Sequence, residues 1–381
     1  MEQNVINNLD KRKVMIKMKN LIKKSTVLGL VAALLLVAFA ACGSANEKTE
    51  QKAENTKAES TATTSESAGS ETELPVIKFN TCFTTGMTGA VNNFAIEKGL
   101  YKALGIEFEN IQTEDGSQGR LSLITRGEID LADGDPSSYI PGINNGVPAK
   151  LVGNMWRYSG CYWLIANNDI QSFEDLRGKK IGTSGASGGM RLSVLKMLEK
   201  NGIAEDEVEL IANGSYQKAY ATLTSGEVDA TIIHNPYASL AESEGVGHTL
   251  GRAWDFIPDY YTGTIMASND LIENRPEDLQ RFVTAYYKVH EQVKNEYFDE
   301  FITWAANTMN TSEEVLRDAV LSEIDVWLDY PVIPEERLKT TFEYLKNYGW
   351  IEGDVTLEGT YTNEFAIKAA EELGMTDPEK K

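Results

Sequence analysis

Basic residues are scarce in this chain: 36 Lys and Arg stand against 57 Asp and Glu, a formal net charge of −21 over 381 residues. That balance argues against a nucleic-acid partner, since polyanions are met by clustered positive charge. Cysteine is nearly absent, with three in all, too few for a disulfide scaffold or a cysteine-rich metal centre. The histidines are His234, His248 and His290. None stands in a metal-ligand spacing such as His-Glu-x-x-His, so neither a metal nor a cofactor is expected. Glycine-rich loops occur, but neither Gly-x4-Gly-Lys-Ser/Thr nor Gly-x-Gly-x-x-Gly is present, which removes support for nucleotide binding. Near the N-terminus the uncharged run Ser25 to Ala41 has 17 residues, short of the roughly 20 that a membrane-spanning helix needs.

What is there begins with that run. Lys19, Lys23 and Lys24 precede it, and it ends in Phe39-Ala40-Ala41-Cys42-Gly43-Ser44. Residues 1–41 therefore read as an export signal cut before Cys42, with an uncleaved anchor as the alternative. Met18 to Lys24 forms a complete n-region by itself, so residues 1–17 read as an upstream extension. Loss of residues 1–41 would take the net charge from −21 to −26. A surface that negative is repelled by anionic headgroups, so a lipid on Cys42 is expected to hold the chain at the extracytoplasmic face of the membrane. Residues 42–73 carry no aromatic residue and read as a flexible tether. Cys82 and Cys161 remain, either as a pair or as two buried thiols.

The folded part is written twice. Phe79 to Gly89, leading to Gly105-Ile106, is restated by Ile181 to Gly189, leading to Gly202-Ile203. Arg126-Gly-Glu-Ile-Asp130 is answered by Ser225-Gly-Glu-Val-Asp229, and Asp135-Pro136 by Asn235-Pro236. Short apolar strands alternate with helical stretches in each copy, which predicts parallel crossovers and α/β sheets. Two such units facing one another make a cleft, where small ligands bind. The expected layout is lobe I from 74 to 161, lobe II from 162 to 253, and a return to lobe I with C-terminal helices from 254 to 381. Trp156 to Ala166 is expected to be a hinge strand. Leu279, Phe282, Val283, Tyr286 and Val293 lie at helical spacing and predict a buttress on lobe I.

The strongest local signal is the loop Thr183 to Arg191, where Ser184, Ser187, Gly188, Gly189 and Met190 precede a helix whose free N–H groups and positive dipole end aim back into the loop. Phe83, Thr84 and Thr85 occupy the same place in the other copy. Asp135 with Ser137, and His234 with Asn235, make a second symmetric set, with helix capping as the competing role of the Asx side chains. Aromatic residues crowd the connections: Trp156, Tyr158, Tyr162, Trp163, Tyr237, Trp254, Tyr260 and Tyr261. An enzyme would need reactive His or Cys side chains converging in the cleft, for which His234, Cys82 and Cys161 are the candidates.

Taken with the Cys42 site and Leu176-Arg-Gly-Lys-Lys-Ile-Gly182, these motifs make the stretch Pro75 to Ser268 resemble a solute-binding protein of the nitrate, sulfonate and taurine class of ABC importers. The resemblance implies a two-lobed type II periplasmic-binding fold, each lobe a mostly parallel sheet flanked by helices, that closes on a small-molecule ligand and delivers it, as a monomer, to a membrane permease. It places ligand loops at Phe83 to Gly86, Gly134 to Ser138, Ser184 to Met190, and His234 to Tyr237. Many relatives carry Trp, then Asp or Glu, then Pro where this chain has His234-Asn235-Pro236, so a carboxylate is expected to be missing, which disfavours taurine. An anionic solute is the first expectation, a neutral aromatic or pyrimidine compound the second, and an exported enzyme on the same fold the third.

Overall fold

The computed structural model describes residues 75–113, 116–155, 157, 159–327, 329–351, 353 and 355–380. The assignments made to residues 1–41 and 42–73, including Cys42, and to Trp156 and Tyr158 lie outside those residues. Among the described residues no helix is long and apolar enough to cross a membrane.

Two five-stranded sheets share one plan. Strands β1 (Ile77–Cys82), β2 (Ile106–Asn110), β3 (Leu131–Gly134) and β4 (Ala149–Asn154) belong to the first sheet; β5 (Trp163–Asn167), β6 (Lys180–Thr183), β7 (Glu209–Ala212), β8 (Ala230–Ile233) and β9 (Gly247–Arg252) make the second, and β10 (Thr264–Ser268) returns to the first. The orders are β2-β1-β3-β10-β4 and β7-β6-β8-β5-β9. In each sheet one strand runs against the other four, and in each it is the strand that the other lobe's chain supplies last or first: β10 pairs antiparallel with β3 and β4, β5 with β8 and β9. Helices α1 (Gly86–Lys98), α2 (Gly116–Thr125) and α3 (Pro136–Asn144) follow β1, β2 and β3; α4 (Gly189–Lys200), α5 (Gln217–Thr224) and α6 (Tyr237–Ser243) follow β6, β7 and β8.

The repeated Gly-Glu-x-Asp motif has a structural job in both lobes. Asp130 accepts from the Asn80 amide at 2.8 Å and returns its own N–H to the Asn80 carbonyl at 2.7 Å. Asp229 does the same with Lys180, at 2.9 and 2.8 Å. Each aspartate thereby fixes the register of the central strand against its parallel neighbour, across 50 and 49 residues of sequence. The motif recurs because the register problem recurs.

The chain crosses between lobes through residues 155–162 and 253–263. Ser159 bridges Tyr261 in antiparallel fashion, joining the two crossovers. Among the described residues of the hinge strand expected from Trp156 to Ala166, regular pairing starts at Trp163, inside the second sheet, and Arg157 and Ser159 make isolated bridges upstream of it.

The C-terminal helices are α7 (Pro276–Asn295), α8 (Phe298–Thr308), α9 (Glu313–Glu323), α10 (Glu335–Asn347) and α11 (Glu364–Glu372). Leu279, Phe282, Val283, Tyr286 and Val293 of α7 are all buried in the first lobe's core with Phe79, Phe83 and Phe301. The tail is more than a buttress on that lobe, however. Helix α9 packs on α8 and also on α6 of the second lobe. At the C-terminal end of α10 and just beyond it, Tyr344, Tyr348 and Trp350 pack on Leu192 of α4, with Lys196 lying 5.3 Å over the Tyr344 ring. Two segments of the tail thus strap the second lobe.

Candidate ligand cleft

Each of the two glycine loops opens a helix. Helix α1 starts behind Thr85 and α4 behind Gly188, and neither start carries a side-chain cap. Gly188 has φ +97°, a conformation that disfavours a side chain, and a Cβ on Gly189 would fall 2.7 Å from Tyr260 Cε1 and 2.9 Å from the Tyr162 hydroxyl. Bare backbone at the head of α4 therefore lies under two tyrosines from the crossovers. Across the gap, Asp135 caps α3 by accepting from the Ser137 amide at 2.8 Å, and its charge reaches Tyr162 and Tyr260.

A third tyrosine closes the space between lobes. Tyr216, after β7, shares a hydrogen bond of 3.2 Å with Thr88 Oγ1 on α1, and its ring lies against Gly86. Its other side stacks on His234, with centroids 4.9 Å apart and planes 14° apart, while Tyr162 meets His234 edge-on at 5.0 Å. Burial, and next the nearby Arg157, pull the His234 pKa down to about 3, so the ring is neutral at physiological pH. The result is an aromatic wall of Tyr162, Tyr216, Tyr260 and His234 that joins both lobes.

The charges are buried with it. Arg157 is 5% exposed, Asp133 0% and Glu323 2%. Asp133 accepts from the Thr84 amide at 2.5 Å and from Thr84 Oγ1 at 3.1 Å, and burial raises its pKa even so. Arg120 donates to the Cys82 carbonyl at 3.0 Å and lies within electrostatic reach of Asp133. Desolvation pushes Asp135 up to about 6 against the pull of the Ser137 amide, and Glu323 up to about 7 against Arg157, Trp163, Asn235 and Trp327. Asn235 donates to Ala319 O at 3.1 Å, Ser322 Oγ at 3.2 Å and Glu323 Oε2 at 3.3 Å, while its oxygen accepts from Ser239.

Several residues expected to meet ligand are engaged elsewhere. Phe83 is fully buried, stacked on Phe282 at 6.2 Å and edge-on to Phe108 at 5.7 Å. Met190 sits in the second lobe's core. Asn235 spends its donors on α9, so it ties the second lobe to the tail. Thr85 and Ser187 are exposed and Ser184 is half-buried. Glu323, from 88 residues further along the chain, brings a carboxylate to Asn235. Sequence reasoning missed Arg157, Tyr216, Asp133 and Glu323. An arginine between Trp156 and Tyr158 in so acidic a chain was the available signal for the first; α9 offered none for the last.

Cys82 and Cys161 are free and buried. Burial raises both thiols, most strongly Cys161, where Glu323 adds to the effect. Neither has the electropositive, partly exposed setting of a reactive thiolate. Gly185-Ala-Ser187-Gly-Gly189 satisfies the Gly-x-Ser-x-Gly pattern and lies between a strand and a helix, a match the sequence reading passed over. Ser187 makes no hydrogen bond to a histidine among the described residues, so the triad geometry is not assembled.

A family model, NMT1/THI5 like, matches residues 90–296. The chain belongs to the NMT1/THI5-like family. This NMT1/THI5-like protein is 25% identical over 206 residues to YtlA of Bacillus subtilis, covering 53% of this chain and 61% of YtlA. It is 26% identical over 284 residues to the riboflavin-binding protein RibY of Chloroflexus aurantiacus, covering 71% of this chain and 80% of RibY. The chain spans about three fifths of the length of the curated relatives it matches first. The solved structure of the alkanesulfonate-binding protein SsuA from Xanthomonas axonopodis pv. citri, bound to MOPS, has a TM-score of 0.63 at 14% identity, with 76% of this chain and 99% of SsuA covered. The shared property is the fold: the NMT1/THI5-like chain has the two-lobed periplasmic-binding architecture.

Because burial raises Glu323 above its ordinary value of 4.5 to about 7, its contribution to stability is present below pH 4.5 and is lost as pH rises through 7. Glu323→Gln keeps the side-chain volume and an acceptor for Asn235 but has no proton to lose. Its stability relative to the native chain is expected to improve between pH 4.5 and 8.5 by up to ~3 kcal/mol in chemical denaturation. A difference that stays constant or shrinks with pH would contradict a buried, ionisable Glu323.

Proposed function

We propose that this protein is the extracytoplasmic solute-binding component of an ABC importer, which captures a small molecule between its lobes and hands it to a membrane permease. A lipid on Cys42 would hold it at the membrane, and loss of fatty-acid labelling in Cys42→Ala is the expected result; label retained by the variant would count against the anchor. The solute we favour is a planar, uncharged heteroaromatic compound. The observation that carries this choice is the wall of Tyr216, His234, Tyr162 and Tyr260 between the lobes, rings from both crossovers and the second lobe that pack on one another and would meet a planar solute on parting. Stacked rings prefer such partners, and RibY, whose name makes it a riboflavin-binding protein, covers the larger share of this chain among the two relatives.

The charge inventory supports the same choice. Three acids, Asp133, Asp135 and Glu323, are desolvated around the cleft, and in their ionised forms each would repel a further negative charge. The uncapped backbone amides at the head of α4, at Gly188 and Gly189, would serve as polar handles for ring nitrogens and carbonyl oxygens. A second reading, an oxyanion such as a sulfonate or nitrate, is favoured by one specific feature: the uncapped head of α4, which supplies partial positive charge near Arg157.

Thermal shift on protein stripped of carried-over ligand by unfolding and refolding separates the two. Riboflavin and aminopyrimidines are expected to raise the melting temperature more than methanesulfonate, nitrate, bicarbonate or taurine do. Tyr216→Ala should weaken the best ring compound about tenfold, the equivalent of ~1.4 kcal/mol. Stabilisation by the oxyanions alone would put the second reading in its place.

A further inference from the structure

Glu323 lies outside both repeats, on a tail helix, yet it is placed at the junction of everything that forms the cleft. Asn235 binds its Oε2 at 3.3 Å, and Asn235 is the next residue after His234 of the aromatic wall. Three residues beyond Ile324, the backbone of Trp327 bridges Arg157, so the tail also fixes the crossover that carries the buried guanidinium. Helix α9 itself packs on α6 of the second lobe. A carboxylate in this position acts on the cleft in two ways: it balances the charge of Arg157, and it holds the loop that bears His234.

We propose that Glu323 is a specificity-determining residue which, by offsetting the charge of Arg157 from outside the lobes, makes the cleft reject anionic solutes in favour of uncharged ones. The idea deepens the reading of the cleft as a solute site and rests on it. Ionised Glu323 offsets Arg157, a buried cation that faces groups of both lobes, Asp135 and Tyr162 on one side and His234 and Tyr216 on the other. With Glu323 protonated, or replaced by Gln, one of the negative charges facing Arg157 is removed, and the positive potential at the uncapped head of α4 rises in favour of an anion. The groups that face Glu323 are Arg157 and Cys161 on the crossover, Trp163 on β5, Asn235 after β8, Tyr216 after β7, and Trp327 beyond α9. Among them Arg157 carries a fixed charge, and Asp135 is the other cleft carboxyl that changes charge near neutral pH.

The test uses methanesulfonate and nitrate as probes, with dissociation constants measured on the native chain and Glu323→Gln from pH 5.5 to 8.5. At pH 8.5 the variant is expected to bind the anions at least tenfold more tightly than the native chain. The two should converge toward pH 5.5, where native Glu323 carries its proton. The Asp135 titration is common to both proteins and drops out of their ratio. An anion affinity equal in the two proteins at pH 8.5 overturns the proposal. If Glu323→Gln does not fold, the native chain alone decides: its anion affinity must rise as pH falls from 8.5 to 6.5, and a flat profile overturns the proposal. These outcomes are independent of the ring-compound screen. Failure of every neutral compound to bind would sink the heteroaromatic reading, while a gain of anion binding in the variant would still assign charge selection to Glu323.

Discussion

A guanidinium taken out of water must be met by negative charge or by a dense set of acceptors, and Arg157 is taken out of water at the point where the two lobes join. Much of the cleft follows from that constraint. Asp133, Asp135 and Glu323 come from β3, the α3 cap and α9, and each bears on Arg157. Their pKa values are all raised, because desolvation of the three acids outweighs the pull of Arg157 on each and of Arg120 on Asp133. His234 responds in the opposite sense: burial and Arg157 both disfavour a second cation, and the imidazole is kept neutral. A cleft with opposing charges matched inside the protein has little need of a charged ligand, and the tyrosines that complete it supply flat apolar surface with hydroxyl edges.

The tail determines how firmly the lobes hold each other. The Asn235 amide NH2 is shared among three acceptors on α9, and the rings at the end of α10 and beyond pack on Leu192 and Lys196 of α4. Both contacts link the second lobe to helices whose other faces are part of the first. With Ser159 bridged to Tyr261 across the crossovers, the lobes are joined at the hinge and restrained on their flanks. The direct bond between Thr88 and Tyr216 across the cleft is modest by comparison, a single neutral hydrogen bond of ~1 kcal/mol net. Opening the cleft therefore depends mainly on the straps, and the strap through Asn235 ends on a group that titrates.

The sequence made the fold legible because the fold is repeated. Asp130 and Asp229 stand at matching places in both copies, and the strand orders of the two sheets coincide when β10 is set against β5. The glycine loops were legible for the same reason: close approach at Gly189 leaves no room for a side chain. Side-chain direction was not. Phe83 and Met190 belong to the right loops but point into the cores, where apolar bulk is buried at a gain of about 1.5 to 3 kcal/mol per side chain. Asn235 was read by analogy with Asp135, yet one caps its own helix and the other reaches across to α9. Glu323 carried no local signal, since a buried acid on an amphipathic helix looks like any other until the helix is docked. Long-range placement of a single polar side chain is the information that periodicity and motif do not contain.

The charge state of Glu323 is the most direct measure of whether the cleft is balanced from within. Carboxyl carbon NMR on glutamate-labelled protein, with the Glu323 signal assigned by its loss in the Gln variant, follows that single group through its titration. A midpoint near 7 is the expected result, with the imidazole of His234 remaining neutral throughout the same range. A midpoint near the ordinary value of 4.5 would contradict a desolvated Glu323 that changes its charge near neutral pH and so sets the charge balance of the cleft.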